Sequence, residues 1–280
     1  MKTGMNLLLW TGHVTEEHYP ILKDIKDAGF DGVEIPVFDT TVDHYKKIRK
    51  ELDNLGLKCT TVTIVTPEAN PISPDIKVRQ AAVHLIKQAI ECNQVLGSEN
   101  MVGPFHSPLA VFTGVPPTKD EKQRAADVLR QAAEHAAQAK VQLCIEYLNR
   151  FECYFLTTAA DAVELVNQVN HPNFKTMYDT FHAHIEEKSQ AGPIRTLAPV
   201  IGHVHISEND RGTPGKGQVR WDEAFKTLKE IKYDGWMVIE AFGRALPDLA
   251  AATRVWRDLF PTAKEVYTEG LKLIKEKWAA

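Results

Sequence analysis

The chain has 280 residues, 44% hydrophobic and 25% charged, with a net charge of -4, the composition of an ordinary globular protein. Its slight acidity excludes the basic footprint of a nucleic-acid binder. No apolar run approaches the roughly 20 residues of a membrane span, and "MNLLLW" (5–10) is too short for a signal-peptide core.

In chain order, β-type runs fall at 5–10 (MNLLLW), 32–37 (GVEIPV), 59–65 (CTTVTIV), 100–105 (NMVGPF), 141–148 (VQLCIEYL), 174–180 (FKTMYDT), 200–208 (VIGHVHISE) and 235–242 (GWMVIEAF). Amphipathic helical runs separate them, among them 75–96, 118–139, 158–169 and 222–232. Asp75 and Thr118 stand as N-caps, and "TKDE" (118–121) has capping-box spacing. Repeated β-then-α units without a break in composition predict an α/β fold, a single (β/α)8 TIM barrel domain over residues 1–280. The competing open, doubly wound sheet would want a Gly-rich fingerprint in its first turn, and none is present. The four cysteines, Cys59, Cys92, Cys144 and Cys153, fall singly. A chain of this size needs no disulfide staples, so the expectation is core thiols in a reducing cytoplasm.

Two segments echo one another: "KDIKDAGFDGVEI" (23–35) and "KTLKEIKYDGWMVIE" (226–240). Each is a helix end, an Asp-Gly turn and a strand carrying a glutamate, which reads as one structural unit used twice.

In such barrels catalytic groups gather at the C-terminal ends of the strands. The last four strands each deliver one there: Glu146, Asp179, His205 and Glu240. Strand alternation gives Glu146 the face of Gln142 and Cys144, Glu240 the face of Val238, and His205 the face of His203. An ion-pair network and a metal site both fit these residue types. Burying that much negative charge without a cation costs several kcal/mol per group, which favours the metal. Three carboxylates and an imidazole, with no thiolate, favour Mn²⁺, Mg²⁺ or Co²⁺ over a closed zinc site. On their own, His203 reads as packing or as support for the site one layer deeper, His182 as a solvated loop histidine, and Glu34 as an acceptor for a neighbouring backbone amide. "GTPGKG" (212–217) lacks the P-loop spacing, so no nucleotide site is expected.

Four blocks in this order, "IEYLNRFE" (145–152), "YDTFHAHIEE" (178–187), "GHVHISENDRGTPGKG" (202–217) and "YDGWMVIEAF" (233–242), resemble the ketose 3-epimerases, the D-tagatose, D-psicose (D-allulose) and L-ribulose 3-epimerase family of xylose-isomerase-like barrels. "VWRDL" (255–259) also fits, and the likeness runs over nearly the whole chain. The resemblance implies a metal, usually Mn²⁺, held by Glu146, Asp179, His205 and Glu240, with Glu146 and Glu240 as catalytic bases. It implies substrate contacts from Glu152, His182 and Arg211, and at the far end of the sugar from Trp10, Asn6 and His106. Two departures touch that far end. Asn6 stands where many members carry an aromatic, and "GPFHSPLAVFTG" (103–114) is similar to members that act on pentuloses such as L-ribulose. The family also implies a free ketose as partner and a homodimer or homotetramer.

The implied reaction explains the residue set. Inverting carbon 3 of a ketose removes a proton beside a carbonyl and returns one to the opposite face, through a cis-enediolate. One base reaches both faces poorly, and two glutamates on strands separated by two others can flank the carbon. The rivals are an aldose–ketose or hydroxypyruvate isomerase on the same barrel, a metal-dependent endonuclease, and a non-catalytic sugar-binding protein. The endonuclease would want a His-richer site and a basic groove. A binding protein would not require two carboxylates converging on one carbon.

Overall fold

The computed structural model describes all residues 1–280. Its strands are β1 (Lys2–Asn6), β2 (Gly32–Pro36), β3 (Lys58–Val62), β4 (Asn100–Gly103), β5 (Gln142–Ile145), β6 (Phe174–Asp179), β7 (Ile201–Ile206) and β8 (Trp236–Ile239). They close in sequence order into one barrel in which every neighbouring pair is parallel. The helices are α1 (Tyr19–Ala28), α2 (Val42–Leu55), α3 (Ile76–Leu96), α4 (Lys119–Ala139), α5 (Ala159–Val169), α6 (Thr180–Glu186), α7 (Ala191–Leu197), α8 (Trp221–Glu230), α9 (Pro247–Thr253) and α10 (Ala263–Ala279). The chain is thus the expected (β/α)8 barrel.

Local chemistry sets the helix ends. Asp75 accepts from the Lys77 backbone N–H at 2.8 Å to start α3, and Gly97 ends it in the left-handed region at φ 67°. Thr118 and Glu121 form the reciprocal capping box that starts α4. Along α4 the buried positions Ala125, Val128, Leu129, Ala132, Ala133 and Ala136 trace the stripe of an amphipathic helix. These faces meet the outward side chains of the strands, such as Ile35, Leu143, Val204, Met237 and Ile239, in a core of 66 buried residues.

The barrel interior is a separate environment. At its floor Trp236 is only 2% exposed, and small residues on β1 and β2 make room for it. A Cβ on Gly32 would lie 2.8 Å from the indole and 2.3 Å from the Lys58 carbonyl oxygen, and one on Gly4 would lie 2.9 Å from Val238. Higher up, Val62, Val102, Cys144 and Met177 form an apolar wall. The remaining inward positions are polar and belong to the site.

Two sequence expectations change. Strand ends fall earlier than predicted, most clearly in the first strand, which is Lys2–Asn6 and not 5–10. Leu7–Leu9 instead make a 3-10 turn, because Asn6 Oδ1 accepts from the Leu8 N–H at 2.8 Å and turns the chain. A short apolar run does not separate strand from helix by periodicity, which is why "LLL" reads as strand. All four cysteines are free and buried, and burial pushes the thiols of Cys59, Cys92 and Cys144 up to about 12. No helix is long and apolar enough to cross a membrane.

The floor is a stability determinant. Trp236→Ala is expected to cost about 3–5 kcal/mol in urea denaturation, as transfer and cavity losses add. Thr118→Ala, removing one cap, should cost about 1 kcal/mol. Equal effects would contradict the packing role given to Trp236.

Candidate active site

Glu146 follows β5, Asp179 ends β6, His205 lies on β7 and Glu240 follows β8. One ligand-capable atom from each lies within 4.8 Å of the others, and all four residues are buried. His205 Nδ1 is 3.4 Å from Glu240 Oε1, 3.6 Å from Asp179 Oδ2 and 4.0 Å from Glu146 Oε1. Asp179 uses Oδ1 to cap α6, accepting from the N–H groups of Phe181 at 2.6 Å and His182 at 3.3 Å. That leaves Asp179 Oδ2 buried without a hydrogen-bond partner, and His205 Nδ1 is orphaned in the same way. Orphaned buried polar atoms demand an explanation. Two of them facing each other among carboxylates fit a divalent cation.

The electrostatics agree. Burial, and then the charge of Glu240, hold the Glu146 carboxyl well above its usual range. Burial works the same way on Glu240, but His205 and Arg211 outweigh it and lower its pKa. For His205 burial favours the neutral ring, yet Glu34 and Glu240 prevail and raise its pKa. Carboxylate outnumbers cation here, and the surplus is spread over groups within ion-binding distance of each other.

Beneath the quartet lies Glu34, which the sequence reading assigns to a backbone amide. The structure overturns that. Glu34 Oε1 is 2.7 Å from His205 Nε2, and Oε2 is 3.1 Å from His203 Nε2. The echo between the two Asp-Gly segments explains the placement. It sets Glu34 on β2 and Glu240 just past the end of β8, the two strands that flank β1, with Asn6 paired to Glu34 in register.

Above the quartet opens a cavity lined by Glu146, Glu152, His182, Arg211 and Glu240, with Leu8, Phe38, Leu109 and Phe242 as its apolar side. Arg211 binds Glu240 Oε2 at 2.6 Å and lies 3.7 Å from Glu152 Oε1. Its guanidinium carbon sits 3.7 Å over the Phe181 ring and 4.8 Å from that of Phe242, a stacked geometry suited to a desolvated cation. The backbone there is left-handed, φ 68°, a strained conformation for arginine. His182 is not a solvated loop residue: it is 1% exposed, and burial lowers its pKa to about 3. Its Nδ1 accepts from the Asn149 N–H at 2.9 Å, leaving Nε2 3.5 Å from Glu146.

Three expected substrate contacts are not brought to the cavity. Asn6 is 1% exposed, and its amide is used by Glu34 and Glu240. Trp10, carried past the 3-10 turn, packs on Tyr267 with ring centroids 6.2 Å apart. His106 is fully buried, with Nδ1 2.8 Å from Ser107 Oγ and its ring centroid 5.6 Å from that of Phe155, and burial lowers its pKa to about 3. Pro104 and Leu109, from the same segment, reach the cavity instead. Phe181 and Asn149, which hold Arg211 and Glu152, lie inside the "DTFH" and "NRFE" blocks but carry no chemistry a sequence reading would select.

Residues 22–277 match the profile of the xylose isomerase-like TIM barrel family. A ketose 3-epimerase of Arthrobacter globiformis is 30% identical over all of this chain and 98% of that protein. A D-psicose 3-epimerase of Agrobacterium fabrum is 31% identical over 92% of this chain and 91% of its own. The chain belongs to the xylose isomerase-like TIM barrel family, with the ketose 3-epimerases. Among this family's solved structures, a Methylomonas D-allulose 3-epimerase in complex with D-allulose superposes with a TM-score of 0.92. It shares 25% identity over 99% of this chain and 97% of that one.

For this family member the quartet predicts metal-linked stability. Mn²⁺ at 100 times its dissociation constant should stabilise the fold by about 2.7 kcal/mol. Asp179→Asn should lose most of that gain in differential scanning calorimetry. A wild-type melting temperature unmoved by millimolar Mn²⁺, Co²⁺ and Mg²⁺ would remove the metal from the account.

Proposed function

We propose that the protein inverts carbon 3 of a free ketose, of the D-tagatose, D-fructose/D-allulose or L-ribulose type. Glu146, Asp179, His205 and Glu240 would hold a divalent metal, Mn²⁺ before Co²⁺ or Mg²⁺. The observation that carries this reading is the pair Glu146 and Glu240. They stand just past β5 and β8, with β6 and β7 between, yet both line one cavity and belong to one cluster whose ligand atoms lie within 4.8 Å of one another. Such a pair suits a reaction that takes a proton from one face of a carbon and returns it to the other.

When bound, the metal supplies Lewis-acid polarisation of a carbonyl and charge for a developing oxyanion. The chain's own residues do the rest. One glutamate accepts the carbon-3 proton of one epimer, giving the cis-enediolate, and the other protonates the opposite face. The roles exchange for the reverse reaction. Arg211 holds Glu240 at 2.6 Å and so fixes the direction in which that carboxylate works. Arg211 and the neutral His182 add donors for sugar oxygens, and Glu152, tied to Asn149 Nδ2 at 2.8 Å, accepts from a hydroxyl. The apolar side of the cavity excludes water from the reacting carbon.

Glu152 on the cavity wall disfavours a phosphorylated substrate, and the related Methylomonas enzyme is described with the free sugar D-allulose. A homodimer or homotetramer is supported by the exposed apolar side chains Val111, Phe112, Val115 and Phe151 on the loops after β4 and β5.

The test is a panel of free ketohexoses and ketopentoses with Mn²⁺, products separated by chromatography. Carbon-3 epimers should form, faster than from any ketose phosphate, and aldoses as the main product would move the reaction to carbons 1 and 2. Metal-loaded Glu240→Gln should epimerise about 10²–10⁴-fold more slowly, the usual contribution of a positioned acid–base group. Near wild-type turnover in that variant would remove Glu240 from the mechanism. Light scattering should give at least a dimer mass, and a monomer at working concentration would refute the assembly.

A further inference from the structure

Below the proposed ligands lies a second polar layer that the proton transfers do not use: Glu34, Asn6, Thr60, Asn100 and His203, all buried. The contacts of Glu34 in it are all with side chains. Glu34 Oε1 accepts from Asn6 Nδ2 at 3.0 Å and faces His205 Nε2 at 2.7 Å. Glu34 Oε2 accepts from Thr60 Oγ1 at 2.8 Å and faces His203 Nε2 at 3.1 Å. An ionised carboxylate only accepts, so His205 must carry a proton on Nε2 to bond it, whereas His203 Nε2, though 3.1 Å away, makes no hydrogen bond to it.

Independent contacts lock the same arrangement. Asn100 Nδ2, which only donates, lies 3.4 Å from His203 Nδ1, so that nitrogen is the acceptor and Nε2 carries the proton. The Asn6 amide is oriented by its own turn, with Oδ1 taken by the Leu8 N–H. Its NH₂ therefore points at carboxylates on both sides, 3.0 Å from Glu34 and 3.1 Å from Glu240.

From this geometry we infer that Glu34 is the positioning residue of the centre: it keeps a proton of His205 on Nε2, so that Nδ1 is the nitrogen that yields its proton to a metal and turns its lone pair toward Asp179, Glu146 and Glu240. Through Asn6 it also braces Glu240. The inference rests on the metal reading of the quartet, because a lone pair aimed into that cluster matters for a ligand. Carboxylate partners of this kind fix the tautomer of a metal-binding histidine. An amide in place of Glu34 sets one NH₂ against His205 or against His203 and Thr60. Donor then meets donor, and His205 can answer by moving its proton to Nδ1, which closes the ligand position.

Isothermal titration with Mn²⁺ measures this directly. Glu34→Gln, with fold checked by circular dichroism, should weaken Mn²⁺ binding by about 10- to 100-fold, the usual effect of losing such a partner. Thr60→Val removes a different donor from the same carboxylate without touching His205, and should leave Mn²⁺ affinity near wild type. Equal losses in the two variants, or wild-type affinity in folded Glu34→Gln, would overturn the inference and leave the metal reading standing. A wild-type protein that binds no Mn²⁺ would instead remove the metal reading, and this inference with it. Should Glu34→Gln fail to fold, ¹⁵N-histidine NMR of the Mg²⁺-loaded wild type decides. A protonated Nε2 on His205 supports the inference, and a protonated Nδ1 overturns it.

Discussion

The constraint on which the rest of this structure depends is a surplus of carboxylate inside the barrel. Glu34, Glu146, Asp179 and Glu240 are all at most 5% exposed, and the cationic groups that face them are Arg211 and the imidazole of His205. Charges removed from water need partners of matching geometry, or the penalty runs to several kcal/mol per ion. Every unusual feature nearby answers that demand. Arg211 adopts a strained backbone and an aromatic sandwich to reach Glu240. Asn6 divides one amide between two carboxylates. Two buried atoms, Asp179 Oδ2 and His205 Nδ1, are left without a hydrogen-bond partner.

The barrel supplies the means. Inward positions alternate along each strand, so the interior is built in layers. Trp236 and the glycines opposite it close the bottom. The Glu34 layer follows, then the four candidate ligands, then the open cavity with Glu152, His182 and Arg211. Because the strands are fixed by helices packed outside, Glu146 and Glu240, each the first residue past the end of its strand, converge on one point. The apolar wall of Val62, Val102 and Cys144 keeps the opposite side dry.

Much of this was legible in the sequence where two rules acted together. Alternation along the last four strands, with the preference of barrel chemistry for strand ends, selects Glu146, Asp179, His205 and Glu240, and these do converge. The rule weakens on β1, where "MNLLLW" reads as strand although Asn6 caps a turn. Trp10 is carried to Tyr267 by that turn, and Asn6 faces the floor of the site. Glu34 was visible as a strand glutamate, but its role depends on His203 and His205, which are far away in sequence. The aromatic faces that hold Arg211 were invisible for the same reason. His106 differs in another way: its segment reaches the cavity through Pro104 and Leu109, while its own ring packs against Phe155.

The central claim is that two carboxylates act on opposite faces of one carbon, and solvent label tests it most directly. In heavy water, product formed by the wild-type protein should carry deuterium at carbon 3, read by proton NMR. Metal-loaded Glu240→Gln should still exchange the carbon-3 proton of one epimer, and Glu146→Gln that of the other. Label at carbon 1, or the same single epimer exchanging in both variants, would contradict the account.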